Sequence, residues 1–324
     1  MSVVPPTSGA AAGAMYELPL LAGHTSSSAQ AVNDAGDVVG LSLDANENGY
    51  LVRWGADGTL TPLQAVEGGT GGHAVKIVDD GTVAGFTDAP DGVRHAARWS
   101  AAGVLTRLEE PPGYTRGEAQ DINNSRVAVG QLSTESRTLP VRWGPDGRAT
   151  ALRLPPRALG GAATAINDRG TVIGRATDTN GIWKAVRAPR GGTFEALPSQ
   201  EPGARTVSAN NADVVVANVK DRSLRWTGTG TGTGAGTGPG VTELQPLRGT
   251  ARTFVRGIND RGTSVGTSDP FAVTWDAQGT PTALPVPAGF DRADPVAINA
   301  TGVVAGNVGS SRTWPARWRA VVWR

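Results

Sequence analysis

The chain has 324 residues, with 45 glycines, 22 prolines, 39% apolar and 18% charged residues, no cysteine and a formal net charge of +1. The missing cysteine excludes disulfides, thiolate metal sites and a cysteine nucleophile, and a charge so near zero excludes a general field that would draw the chain to nucleic acid or anionic membrane. No apolar run is long enough to span a bilayer as a helix, while frequent turn residues between short β-branched runs argue for an all-β fold.

Taken in chain order, residues 1–14 carry neither a cationic n-region nor an apolar h-region. No secretory leader is therefore expected, a cytoplasmic location follows, and the stretch reads as a flexible N-terminus. Residues 15–20 read as a short strand. Next comes the first copy of a pattern, apolar-Asn-Asp-x-Gly-x-Val-x-Gly, at residues 32–40. Close copies follow at 166–174 and 258–266, and looser ones at 77–85, 122–130, 209–217 and 298–306. The Asn position falls at 33, 78 (a valine), 123, 167, 210, 259 and 299, in steps of 45, 45, 44, 43, 49 and 40 residues. A period near 44 is that of a four-stranded propeller blade.

Each repeat has one inner order. Strand a ends in the Asn-Asp-x-Gly turn, whose residues tolerate left-handed backbone. A Val-rich strand b follows, then strand c ending in Arg-Trp, as at Trp54, Trp99, Trp143 and Trp226, with Trp318 as the seventh-blade copy. Thr274-Trp275 and Arg187-Ala188 are degenerate copies. Strand d carries one Leu, at Leu63, Leu108, Leu152, Leu197, Leu244 and Leu284. The seventh repeat has no room for strand d. Leu18 precedes Asn33 by 15 residues, as Leu63 precedes Val78 and Leu108 precedes Asn123. The expected fold is therefore a seven-bladed β-propeller, one domain, closed by the N-terminal strand pairing into the C-terminal blade, which removes open sheet edges. The Thr/Gly run at 227–240 falls between strands c and d of blade 5 and reads as a solvated loop.

The Ile-Asn-Asp-x-Gly-x-Val-x-Gly core, followed by a strand such as His95-Ala96-Ala97-Arg98-Trp99, resembles the bacterial HAF repeat over nearly the whole chain. The resemblance implies a fold and no defined activity. A wider, fold-level analogy is to streptogramin lyases, bacterial propellers that act on natural products.

Propellers bind at the channel mouth built from the d-to-a and b-to-c loops, so the uniform Asn-Asp turns of the opposite face read as turn chemistry. Five positions before the Asn lie Ser28, His73, Glu118, Ala162, Arg205, Phe254 and Asp294; three before lie Gln30, Val75, Gln120, Thr164, Val207, Arg256 and Val296. The residue one before is apolar in every copy. A monotonous position reads as core and a mixed ring as a site.

His73 and Glu118 are at equal height in neighbouring blades, where a hydrogen bond would raise the basicity of the imidazole. Arg205 and Arg256 suit a carboxylate or an enolate-like charge, and Asp294 supplies a second carboxylate. Ser28, Gln30 and Gln120 fill the ring, while Phe254, Tyr114 and Phe290 suit an apolar substrate. The bland alternative is a set of inter-blade pairs, Glu118 with Arg116 and Lys76 with Asp121. His95 reads as a packing residue. His24 enters blade 1 near the mouth, and a metal site on His24, His73 and Glu118 has no ligand spacing behind it. Asp44 opens half of a calcium-loop pattern, whose twelfth position is Gly55 where Glu is required.

The expected function is a cofactor-independent lyase, cyclase or isomerase of specialised metabolism, a monomer whose partner is a small molecule. The alternative is a non-catalytic glycan-, ligand- or protein-binding propeller using Tyr114, Trp183 and Trp314.

Overall fold

The structure, a computed structural model, describes residues 14–69, 71–197, 203–227, 240–310 and 318–324. Trp314 and residues 228–239 of the Thr/Gly run lie outside the described residues. The described chain is all β: seven four-stranded antiparallel sheets, each running from strand a at the channel to strand d at the rim. Blade 1 comprises Ser26–Val32, Val38–Leu43, Gly49–Trp54 and Leu60–Pro62. The repeated Leu follows strand d rather than lying on it: Leu63 comes just after Pro62 and donates its N–H to Leu51 O at 2.9 Å.

The seventh sheet takes its outer strand from the beginning of the chain. Met15–Glu17 pairs antiparallel with Trp318–Trp323, in the register Met15 to Trp323, Tyr16 to Val322 and Glu17 to Val321. Leu18 N donates to Ala320 O, the bond that Leu63 makes in blade 1. One assignment from the sequence is corrected here. Strand c of blade 7 ends at Trp323, which pairs with Val304 as Trp54 pairs with Val38. Trp318 is at the start of that strand, opposite Gly309. The Arg-Trp text match at 318 misled because Val322 occupies the arginine slot.

The core is between blades, not within them. One cluster joins Leu51 and Leu63 of blade 1 to Ala74, Ile77 and Trp99 of blade 2. Another joins Ala305 and Val322 of blade 7 to Val32, Val52 and Trp54 of blade 1, with Leu18 and Leu21 packed against it. Each fully buried large side chain contributes roughly 1.5–3 kcal/mol. Five of the indole N–H groups are satisfied across these interfaces, while among the described residues Trp226 Nε1 is buried without a partner. Trp99, Trp143 and Trp275 donate to Gln64 O, Glu109 O and Gln245 O, each just after the Leu of the preceding blade. Trp54 uses Pro19 O in the same way, so the N-terminal segment acts as the outer strand of blade 7. Trp323 uses Pro285 O.

Each strand a is bulged at the position three before the Asn: Ala29 pairs with Gly40 and Ala31 with Val39, leaving Gln30 extra. A bulge re-aims side chains at a sheet edge. It also explains the last glycine of the repeat. A Cβ on Gly85 would lie 1.9 Å from His73 O, and one on Gly130 2.0 Å from Glu118 O.

Candidate functional site

At the turn end of the channel the Asn-Asp pairs do more than shape turns. Asn167 Oδ1 accepts from Thr171 N at 2.9 Å, closing its own turn, while its Nδ2 donates to Asn210 O of the next blade at 2.9 Å. Asn210 reaches Asn259 O, Asn259 reaches Asn299 O, Asn299 reaches Asn33 O, and Asn33 reaches Val78 O. The following residue adds a second belt: Asp34, Asp79 and Asn124 N–H groups donate to Asp79, Asn124 and Asp168 Oδ1. Blade 2 is the exception, since Val78 packs into the apolar interface and Asp80 caps Thr82 instead. The reading of these residues as turn chemistry alone is thereby extended to an inter-blade role. The belt encloses a cavity of about 100 Å³ that Lys76, Asp121 and Ser208 help to line. The Asp121 carboxyl accepts from Ile122 N and Ile166 N, and burial pushes its pKa up against the pull of Lys76.

At the other end, the five-before ring faces a second variable ring across strand b. His73 pairs with Phe86, Glu118 with Gln131, Ala162 with Arg175 and Asp294 with Asn307. Sequence reasoning missed this ring. Its signal was present: the residue after the last glycine of each repeat varies as much as the residue five before the Asn.

In blades 1–3 the side chains form a continuous stack. The His73 ring lies 5.3 Å from Phe86 at 18° between planes, and Arg94 Cζ is 4.7 Å from the Phe86 centroid. Arg94 Nη1 then donates to Glu118 Oε1 at 3.0 Å and Nε lies 3.5 Å from Asp88 Oδ1. Gln120 and Gln131 both donate to Glu118 Oε2 at 3.1 Å. The expected hydrogen bond between His73 and Glu118 is not made. Phe86 and Arg94 intervene, and Glu118 commits its charge to Arg94, not to Arg116.

The consequence for basicity is the reverse of the expectation. His73 has its pKa lowered from 6.5, first by burial and second by the Arg94 charge, against weaker opposing pulls from Asp88 and Glu118. Folding thus disfavours the imidazolium, so acidification below about 6.5 favours the unfolded chain at this residue. The residue nevertheless stays exposed to solvent. Replacing Arg94 with Gln removes the cation, and the His73 pKa, read by an NMR titration of the three histidine rings, is expected to rise; no rise, or a fall, would refute this account.

Gln30 contacts the ring, its amide nitrogen lying 3.0 Å from His73 Nδ1 and 3.4 Å from Nε2. The two ends of an amide are interchangeable in shape. Donation through nitrogen puts the ring proton on Nε2. Acceptance through Gln30 Oε1, which is otherwise buried without a partner, puts the proton on Nδ1 and leaves Nε2 bare.

Around the rest of the mouth, Arg256 Nη2 lies 3.5 Å from Asp294 Oδ1, so these two neutralise each other. Arg205 is exposed at the same height in blade 5. Ser28 and Phe254 are half-buried on their strands. Tyr114 and Phe290 pack against inter-blade clusters, because the turns that carry them fold back onto the blades. His95 Nδ1 pairs with Glu110 Oε2 at 2.8 Å, and His24 lies against Tyr50 with ring centroids 5.0 Å apart. The Asp44 carboxylate is occupied by Asn46 and Asn48 of its own turn. Among the described residues no group of three or more His, Cys, Asp or Glu stands close enough to hold a metal. A separate cleft of about 470 Å³ opens between blades 1 and 2, lined by Tyr50, Leu51 and Trp99 among others.

No family model matches the chain, and no curated protein matches it. Solved structures match it in shape. It is similar to a streptogramin B lyase structure at 12% identity, covering 97% of this chain and 98% of that one with a TM-score of 0.62. It is also similar to a catalytically inactive histidine-to-alanine variant of virginiamycin B lyase from Staphylococcus aureus with quinupristin, at 15% identity, 96% and 99% coverage and a TM-score of 0.61. A prolyl endopeptidase structure matches at 14% identity over 92% of this chain and 47% of that one, with a TM-score of 0.63. At such identities the likeness shows the fold alone.

Proposed function

We propose that this propeller is a small-molecule enzyme, a lyase, cyclase or isomerase whose acid–base group is His73. The observation that carries the reading is an imidazole with a depressed pKa, stacked on Phe86, gripped by Gln30 and open to the channel mouth. A neutral, oriented imidazole accepts a proton near neutral pH. With Gln30 Oε1 accepting from Nδ1–H, Nε2 is the base. It takes a proton from a carbon acid. The electron pair then expels a leaving group, as in a lyase, or the imidazolium returns the proton at another carbon, as in an isomerase. Arg94, held above its ordinary pKa first by the Glu118 hydrogen bond, supplies a fixed positive charge beside the developing anion. Glu118 thus positions Arg94 instead of exchanging protons itself.

The fold shared with a streptogramin B lyase and a virginiamycin B lyase structure supports a substrate from specialised metabolism, and the resemblance to HAF repeats supports a bacterial source and membership of that group. The cytoplasmic location, monomeric state and cofactor-free chemistry belong to the same proposal. In the test, purified protein is incubated with libraries of cyclic peptides, lactones and related metabolites, and products are read by mass spectrometry. Once turnover is found, His73→Gln is expected to lower kcat by about 10²–10⁴ with native circular dichroism. Turnover indifferent to His73 would overturn the assignment.

A further inference from the structure

Several charges around the mouth are paired. Arg94 answers Glu118 and Asp88, Arg256 answers Asp294, and Lys184 Nζ lies 3.4 Å from Asp178 Oδ2. Arg175 and Arg205 answer nothing. Arg175 is on strand b of blade 4 (Val172–Thr177), opposite Ala162, and Arg205 begins strand a of blade 5 (Arg205–Ala209), which packs against that strand. Among the described residues neither guanidinium has a carboxylate or hydrogen-bond partner, and the Nε atom of Arg175 is buried without one.

The Arg175 guanidinium is nonetheless held in place. Its Cζ is 4.5 Å from the ring centroid of Trp183, a cation–π contact that orients the planar fork without neutralising it. Its charged form is disfavoured by burial first and by Arg205 second. Two like charges in neighbouring blades, one partly dehydrated and one orphaned N–H, form an arrangement that an anion completes, because an oxyanion accepts from both forks and removes their mutual repulsion.

We propose that Arg175 and Arg205, with Trp183 as the platform, form an oxyanion-binding subsite on the side of the mouth away from His73, and that the ligand bears a carboxylate or phosphate group. This deepens the functional reading by naming a substrate class, and rests on it only for the claim that the bound group belongs to a substrate. Arg256, the other arginine suited to a carboxylate, lies 3.5 Å from Asp294 and is not part of this subsite.

The test titrates benzoate and inorganic phosphate into the full chain by calorimetry at low ionic strength, where charge attraction is least screened. Saturable binding is expected, weakened about tenfold or more by Arg175→Gln and by Arg205→Gln, each a charge-assisted contact. Arg175→Lys, which keeps the charge and loses the fork, is expected to fall between. Thermal melting checks that each variant folds. The tighter probe names a carboxylate or a phosphate as the source of the oxyanion. Arg148→Gln, the same loss of charge at a residue 84% exposed and distant from the mouth, is expected to change affinity less than twofold. Failure of both probes to saturate, or equal weakening in Arg148→Gln, would overturn the subsite. His73→Gln should leave anion affinity unchanged. Retained anion binding in a protein whose turnover ignores His73 would therefore sink the catalytic reading alone.

Discussion

A chain shortened to begin at Gly23 is expected to melt about 10 °C or more below the full-length protein and to associate through its sheet edge. Several terms are lost together. The pairing of Met15–Glu17 with Val321, Val322 and Trp323 disappears, as does the Leu18 N to Ala320 O bond. The Trp54 indole loses Pro19 O as its acceptor and becomes a buried donor without a partner. Leu18 and Leu21 no longer cover the apolar interface between blades 7 and 1. Hydrogen bonds at about 1 kcal/mol each and partial burial of two leucines sum to about 5 kcal/mol or more. The strand Trp318–Trp323 would then present open N–H and C=O groups to other molecules. Calorimetry and size-exclusion chromatography read both effects. Melting unchanged by the truncation would show that the ring closes without its first strand.

The second large effect is expected at Asn167, where Asp should be no better tolerated than Ala. Asn167 is 4% exposed. Its Oδ1 accepts from Thr171 N, and its Nδ2 donates to Asn210 O and to Asp213 Oδ1, both at 2.9 Å. Alanine removes all three bonds and strands buried partners, a loss of about 3 kcal/mol. Aspartate keeps the turn bond, and in a purely local Asx turn it serves as well as Asn. Here its second oxygen would face a carbonyl and another carboxylate. Urea denaturation of the two variants decides the matter. If Asn167→Asp were within about 0.5 kcal/mol of the parent while Asn167→Ala was not, the belt would contribute little beyond its turns.

These two expectations mark where the sequence was informative. Leu18 stands 15 residues before Asn33, a spacing set within one chain segment, and it identified the closing strand. The Asn at 167 was equally visible, but its bond to Asn210 O runs from one blade to the next. No local pattern encodes which carbonyl a turn side chain will meet. The misplaced Trp318 has a similar origin: a dipeptide match cannot tell the first residue of a strand from the last, whereas the indole of Trp323 reaching Pro285 O can.

The sequence by itself determined the blade number, the strand order, the closure and the height of the ring that includes His73, Glu118, Arg205 and Asp294. Those follow from periodic turn residues and alternating burial, which act over a few residues at a time. Only the tertiary structure decided which long side chains meet. It put Phe86 and Arg94 between His73 and Glu118, tied Arg256 to Asp294, and left Arg175 beside Arg205 over Trp183. Side chains with several rotatable bonds settle by competition among neighbours from strands b and c of the same blade and from strand a of the next. That competition is resolved only when the blades are packed.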